Sequence, residues 1–146
     1  MIDAWRLCRA PYATLHGDGA RRFGGRWNSP GRPVVYMAEH PALALVEVLV
    51  HLDLAPESLP DDYVMLRAAL PDDPPPEQAG PAGAADPREA GDAWLARWAA
   101  PVLRVPSAIV PQATNLLLDP LHPAAQAARI VAVDPFRFDP RLLRAA

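Results

Sequence analysis

The order of strand-like and helix-like stretches along these 146 residues predicts a single α+β domain built on a mixed or antiparallel sheet. Three observations carry that prediction. The length suits one hydrophobic core and is short for two. Strands and helices follow as β, loop, β, α, β, loop, α and then several β, without the regular alternation of a doubly wound parallel sheet. The composition, 51% apolar and 21% charged, is that of an ordinary globular domain.

Residues 2–8 read as a first strand, with Trp5 and Leu7 on one side and Arg6 on the other. Arg6 is then either a solvent-facing residue or a ligand-facing one. Residues 9–22 have loop composition, with turn signals at Gly17, Asp18 and Gly19. A glycine-rich loop at 24–31 leads into a second strand at 34–38 that carries Tyr36. A helix opens at Pro41, where a missing N–H is tolerated, and runs to Leu52. Its expected buried stripe is Ala42, Leu45, Leu49 and Leu52, widened by Val46 and Val50.

Residues 63–70 form a third strand. Residues 71–87 hold six prolines among Gly, Ala, Asp and Gln, and predict a mobile surface loop, either a lid or an inert insertion. Helical character resumes over 88–99, with Trp94, Leu95 and Trp98 on one face. Residues 102–110 are apolar, interrupted by Pro106-Ser107 and closed by Pro111, which confines them to an edge strand or a bulge. A turn is expected from Asn115 through Pro120 and His122-Pro123, and a last strand at 128–133. Phe136 and Phe138 anchor a short terminal helix capped by Asp139.

Charge and composition exclude several function classes. The net charge is −3, and a cluster of acids at 71–92 leaves the rest of the chain slightly basic. That lacks the basic clustering of a nucleic-acid surface but suits a small anionic ligand held by a few arginines. No apolar run approaches the ~18 residues of a membrane-spanning helix, and residues 1–15 do not read as a signal peptide. The single Cys8 has no internal disulfide partner, so a cytoplasmic protein is expected. All fourteen basic residues are arginine, which reads as a base-composition effect.

Candidate chemistry gathers between residues 23 and 51. Gly24-Gly25-Arg26-Trp27-Asn28 either makes a tight turn or lets backbone amides and Arg26 grip a phosphate. Glu47 is the sole acid in the apolar helix, and such a residue is solvated, paired or functional. It stands four residues before His51, so the two either pair at an exposed edge or Glu47 walls a cleft facing Tyr36. A metal site would need a third ligand such as His40 or His122, and no two histidines have ligand spacing. Ser107 on the kinked strand bonds either backbone or a functional partner.

Several segments, in this order, resemble the RES domain family, named for an arginine, a glutamate and a serine. They are Trp5-Arg6-Leu7, Gly25-Arg26-Trp27-Asn28, Val35-Tyr36, Glu47 in its Ala-Leu-Ala-Leu-Val-Glu-Val-Leu-Val-His helix, and Val105 through Pro111. Asn115 with Asp119-Pro120 and His122-Pro123, and Phe138 through Leu142, complete the set. The match spans nearly the whole chain, 1–146, with its gap in the proline-rich loop. One departure is Asp119-Pro120, where Asn-Pro is expected.

The resemblance implies an ADP-ribosyltransferase-like fold with flanking helices and a toxin of a bacterial toxin–antitoxin pair, neutralised by an Xre-type helix-turn-helix antitoxin. It implies NAD⁺ as substrate, with the nicotinamide–ribose bond cleaved and ADP-ribose passed to water, phosphate or, in one branch, a protein such as a nucleotide-biosynthesis enzyme. It further implies Glu47, Arg26, Tyr36 and Ser107 as catalytic residues, with Arg6, Arg26, Trp27, Tyr36 and Asn115 binding the dinucleotide. Glu47 would hold the ribose and its developing positive charge, Arg6 and Arg26 the pyrophosphate, and Tyr36 would stack on a ring. No metal, membrane or direct nucleic-acid partner is implied, and a homodimer within the antitoxin complex is plausible on size and apolar content.

Overall fold

A computed structural model describes residues 1–52, 55–79 and 86–143. Seven strands form one mixed sheet: β1 (Ile2–Arg9), β2 (Val35–Ala38), β3 (Tyr63–Leu70), β4 (Glu77–Gln78), β5 (Val102–Pro106), β6 (Thr114–Leu118) and β7 (Arg129–Pro135). Their order across the sheet is β4-β5-β6-β2-β1-β3-β7. Only the two-residue β4 runs parallel to its neighbour; the other pairings are antiparallel. The helices are α1 (Asp18–Phe23), α2 (Pro41–Leu49) and α3 (Pro87–Arg97). The predicted α+β architecture with a largely antiparallel sheet is therefore the observed one.

Strand alternation divides the core between two sheet faces. On one face Ala4, Val35, Met37, Leu66, Ala68, Leu70, Leu116 and Leu118 pack together. On the other, Leu103, Val105 and Leu117 meet Trp27, Val34, Trp94 and Leu95, while Leu7 and Ala38 meet Leu43 and Ala44 of α2. Both long helices and the glycine-rich loop therefore lie on the second face.

Four expectations are corrected. The turn expected from Asn115 through Pro120 begins instead as a central strand, β6, whose Leu116, Leu117 and Leu118 are all at most 1% exposed. A continuous apolar run buried on both faces hides the period-2 signal. The 102–110 strand stops at Pro106, because the Ser107 hydroxyl takes the amides of Ile109 and Val110, both at 3.1 Å, and turns the chain toward β6. Residues 18–23 of the expected loop form the short α1. Finally, Trp98 leaves the α3 face, adopting a left-handed conformation (φ 55°) at the helix end and placing its half-exposed ring under Arg32.

The helix starts follow local chemistry. Pro41 and Pro87 occupy the first turns of α2 and α3, and the side chains of His40 and Asp86 accept the exposed amides of Ala42 and Arg88. Of the proline-rich loop, residues 80–85 lie outside the described residues. Residues 77–78 within it pair with β5, so at least that part is an edge strand.

Candidate active site

The buried stripe of α2 differs from the expected one, and the difference places Glu47. Leu43 and Ala44 are the buried residues of the helix, whereas Ala42 is exposed and Leu45, Val46 and Leu49 only half-buried. Leu43, Ala44, Glu47 and Val48 lie on one helical face at i, i+1, i+4 and i+5, so Glu47 points with the packed side toward the sheet. No ion pair joins it to His51 among the described residues, although both border the same cleft.

Glu47 is held by two groups 60 and 68 residues away. The Ser107 hydroxyl donates to Oε1 at 2.5 Å, and Asn115 Nδ2 donates to the same oxygen at 3.1 Å. Asn115 is positioned by the sheet: it lies across from Ala38 of β2, which lies across from Trp5 of β1. Ser107 is positioned by its turn, where its own amide donates to the Ala113 carbonyl at 2.9 Å. The two alternatives for Ser107 thus coexist, since one hydroxyl accepts from the turn and donates to the acid. Oε2 of Glu47 accepts from no described group, and Asn115 Oδ1 is a buried acceptor without a donor. Both are available to ligand hydroxyls or amides.

Facing this pair is a cleft of about 940 Å³, bordered by Trp5, Arg26, Tyr36, Glu47, Ile109 and Asn115 among others. That volume suits a dinucleotide. The glycine-rich loop forms one wall. Gly25 and Asn28 bridge across it, with the Gly25 amide on the Asn28 carbonyl at 2.9 Å. Asn28 is fully buried: its Nδ2 donates to the carbonyls of Ala20, Ser29 and Arg32 at 3.1, 3.1 and 3.3 Å, and its Oδ1 accepts the Tyr36 hydroxyl at 2.5 Å. The Tyr36 oxygen in turn accepts the Trp27 amide at 3.1 Å. Burial raises the Tyr36 phenol above its ordinary 10.0, partly offset by that amide. A Cβ at residue 25 would sit 2.5 Å from the Tyr36 oxygen, so the loop can seat on Tyr36 only with glycine there.

The expected site residues divide accordingly. Glu47, Ser107 and Asn115 are joined by hydrogen bonds, and Tyr36 and Arg26 border the same cleft. Arg26 makes no hydrogen bond or ion pair with any described residue, leaving its guanidinium for a ligand. Arg6 differs. It borders the cleft, yet its Nη1 donates to the Tyr12 and Thr14 carbonyls at 2.8 and 3.4 Å, tying down the following loop. Trp27 borders the cleft but is only 8% exposed and packs with Val34, Trp94 and Leu95, so most of its surface is in the core. His40 and His122 each accept an amide at a helix start, from Ala42 and Ala124 respectively. Sequence reading placed Asn28 in the glycine-rich motif but gave it no role, and it missed Asp92, which holds the loop from α3; the work of both depends on contacts formed on folding.

The RES domain profile matches residues 3–140 of this sequence. The chain belongs to the RES domain family. Within that family it is 44% identical over 144 residues to "Toxin Res" of Pseudomonas putida, covering 94% of this chain and 97% of that one. It is 36% identical over 145 residues to the "Prs ADP-ribosylating toxin" of a Sphingobium species, covering 90% and 88%. A 45-residue stretch is 47% identical to the "NAD(+) phosphorylase MbcT" of Mycobacterium tuberculosis, covering 30% and 24%. MbcT in its crystallised complex with MbcA, a toxin–antitoxin pair, also shares the fold: the TM-score is 0.67 at 20% identity, over 92% of this RES domain and 84% of that chain.

Proposed function

We propose that this RES domain protein is the toxin of a bacterial type II toxin–antitoxin pair, and that it binds NAD⁺ and cleaves its nicotinamide–ribose bond. ADP-ribose passes to water or phosphate. The observation that carries this reading is one carboxylate, Glu47, fixed through Oε1 by Ser107 and Asn115 on the packed face of an apolar helix, at the border of a dinucleotide-sized cleft.

The chemistry matches that arrangement. Nicotinamide leaves as a neutral molecule when the C–N bond electrons return to its ring nitrogen, so no strong acid is needed. Positive charge builds on the ribose ring, as in glycoside hydrolysis. A preoriented carboxylate favours that charge without reorganising during the reaction. Water or phosphate then forms the new bond at the same carbon, and water's proton goes to solvent. Arg26 binds the diphosphate, Tyr36 offers its ring to a base, and Asn115 Oδ1 accepts from a ribose hydroxyl or the carboxamide. Arg6 contributes through its fixed loop and its remaining donors.

The partner of this toxin is an antitoxin, a reading supported by the toxin–antitoxin complex of MbcT with MbcA; that it is of Xre type and that the pair acts in the cytoplasm rest on the family resemblance alone. In the described residues no helix is long and apolar enough to cross a membrane. A second reading, mono-ADP-ribosylation of a host-cell protein, is favoured by the name of the Sphingobium relative, an ADP-ribosylating toxin. Against it, Leu45 stands two residues before Glu47, where transferases often carry a second acid. Product analysis decides between them. Purified protein with NAD⁺ yields ADP-ribose, or its 1-phosphate when phosphate is added; persistence of NAD⁺ until a protein acceptor is supplied gives the second reading precedence.

A further inference from the structure

The arginine loop is gripped from outside the cleft by α3, on which the proposed chemistry makes no demand. Asp92, one turn into that helix, takes two hydrogen bonds from one loop residue: the Ser29 amide at 2.8 Å to Oδ1 and the Ser29 hydroxyl at 2.6 Å to Oδ2. Beside it, a Cβ on Gly91 would collide with the Trp27 carbonyl, so helix and loop are in backbone contact. Arg88 Nη2 reaches the Gly25 carbonyl at 3.4 Å, and Arg32 Nη1 reaches the Leu95 carbonyl at 3.3 Å. Three loop positions flanking Arg26 (Gly25, Trp27 and Ser29) and Arg32 just beyond the loop thereby contact one helix, while the Arg26 side chain itself has no described tether.

A two-point carboxylate clamp on a serine that is three residues from a free arginine is more than packing needs. The hydrophobic cluster of Trp27, Trp94 and Leu95 already docks α3. What Asp92 adds is the height and angle of the loop backbone, and a misplacement of about 1 Å at such a point costs up to 10²-fold in function. We propose that Asp92 is a positioning residue for the dinucleotide site, acting through Ser29 to set Arg26 against the diphosphate. This rests on the NAD⁺ reading above. Charge-assisted bonds from a carboxylate to an amide and a hydroxyl are among the stronger ones available for such a task.

The test is steady-state NAD⁺ consumption by Asp92→Ala, Asp92→Asn and Ser29→Ala, with thermal midpoints measured alongside. Positioning predicts a KM raised about tenfold in Asp92→Ala with kcat within about threefold, the loss of one oriented diphosphate contact. Ser29→Ala, which keeps the amide bond, and Asp92→Asn, which keeps one acceptor, give smaller KM increases in the same direction. A lowered midpoint with KM unchanged in all three overturns the proposal and leaves Asp92 a stability residue. Should Asp92→Ala not fold, the KM of Ser29→Ala decides by the same criterion. If the wild type itself spares NAD⁺, the reaction reading fails separately. The positioning role is then read from growth arrest at matched soluble protein, which Ser29→Ala and Asp92→Asn weaken if the proposal holds and leave unchanged if it does not.

Discussion

The Ser107 hydroxyl donates to Glu47 Oε1 at 2.5 Å while accepting the amides of Ile109 and Val110. One oxygen therefore ties the β5–β6 turn to the acid on α2, and the turn's geometry is transmitted to the carboxylate. Ser107→Ala removes both links. It is expected to lower kcat about 10- to 100-fold with KM little changed, because orientation of the acid matters most in the transition state. Stability should fall by about 1 kcal/mol for the lost turn bonds. Kinetics and thermal melting of the same preparation check both.

The two arginines should separate cleanly. Arg26 has no described partner, so Arg26→Ala should raise KM for NAD⁺ at least tenfold and leave the thermal midpoint within a degree or two, as for a surface change. Arg6 holds two backbone carbonyls, so Arg6→Ala should destabilise by about 1–3 kcal/mol. Urea unfolding beside initial-rate kinetics tells them apart; equal KM effects with no stability loss in either would give Arg6 the same role as Arg26.

Gly25→Ala places a methyl against the Tyr36 oxygen. Its expected cost is about 1–3 kcal/mol of overpacking. Adding Tyr36→Phe removes the clashing oxygen and should recover part of that loss, even though Tyr36→Phe alone is destabilising because it orphans Asn28 Oδ1 and the Trp27 amide. A double-mutant cycle in denaturant measures the coupling.

How much of this was legible in the sequence depends on distance along the chain. Local signals placed β1, β2, β3 and both long helices within a residue or a few, because periodicity, proline at the first helical turn and capping side chains act over three or four residues. Glu47 stood out because an acid in an apolar helix is chemically conspicuous. Its orientation did not, since the stripe of Ala42, Leu45 and Leu49 looks as apolar as the stripe of Leu43, Ala44 and Val48, and only the sheet decides which is buried. β6 was hidden by burial on both sides. The role of Asn28, though not its place in the motif, and Asp92 altogether were invisible for the same reason as most ladder contacts: their partners, Tyr36 and Ser29, become neighbours only in the folded chain, 63 residues apart in the case of Asp92.

Tyr36 supplies a pH prediction. Burial raises its folded pKa above the ordinary 10.0. A group whose folded pKa is raised contributes stability that is fully present below the unfolded value and lost as pH rises through the folded one. Stability should therefore decline above pH 10, beyond what Tyr36→Phe shows, and the tyrosinate absorbance of the wild type should contain a late-titrating component that Tyr36→Phe lacks. A titration in which all three tyrosines ionise together near 10 contradicts the buried hydroxyl network.

The central claim is that Glu47, held by Ser107 and Asn115, acts on NAD⁺. The most direct measurement is release of free nicotinamide from NAD⁺ by purified wild type and by Glu47→Gln, followed by mass spectrometry over time. Glu47→Gln keeps the size of the side chain and its bond from Ser107 but removes the negative charge. The account predicts nicotinamide release by the wild type and a fall of about 10²-fold or more in Glu47→Gln, the scale of losing one preorganised electrostatic group. Equal rates in the two proteins would contradict it, and would move the chemistry away from Glu47.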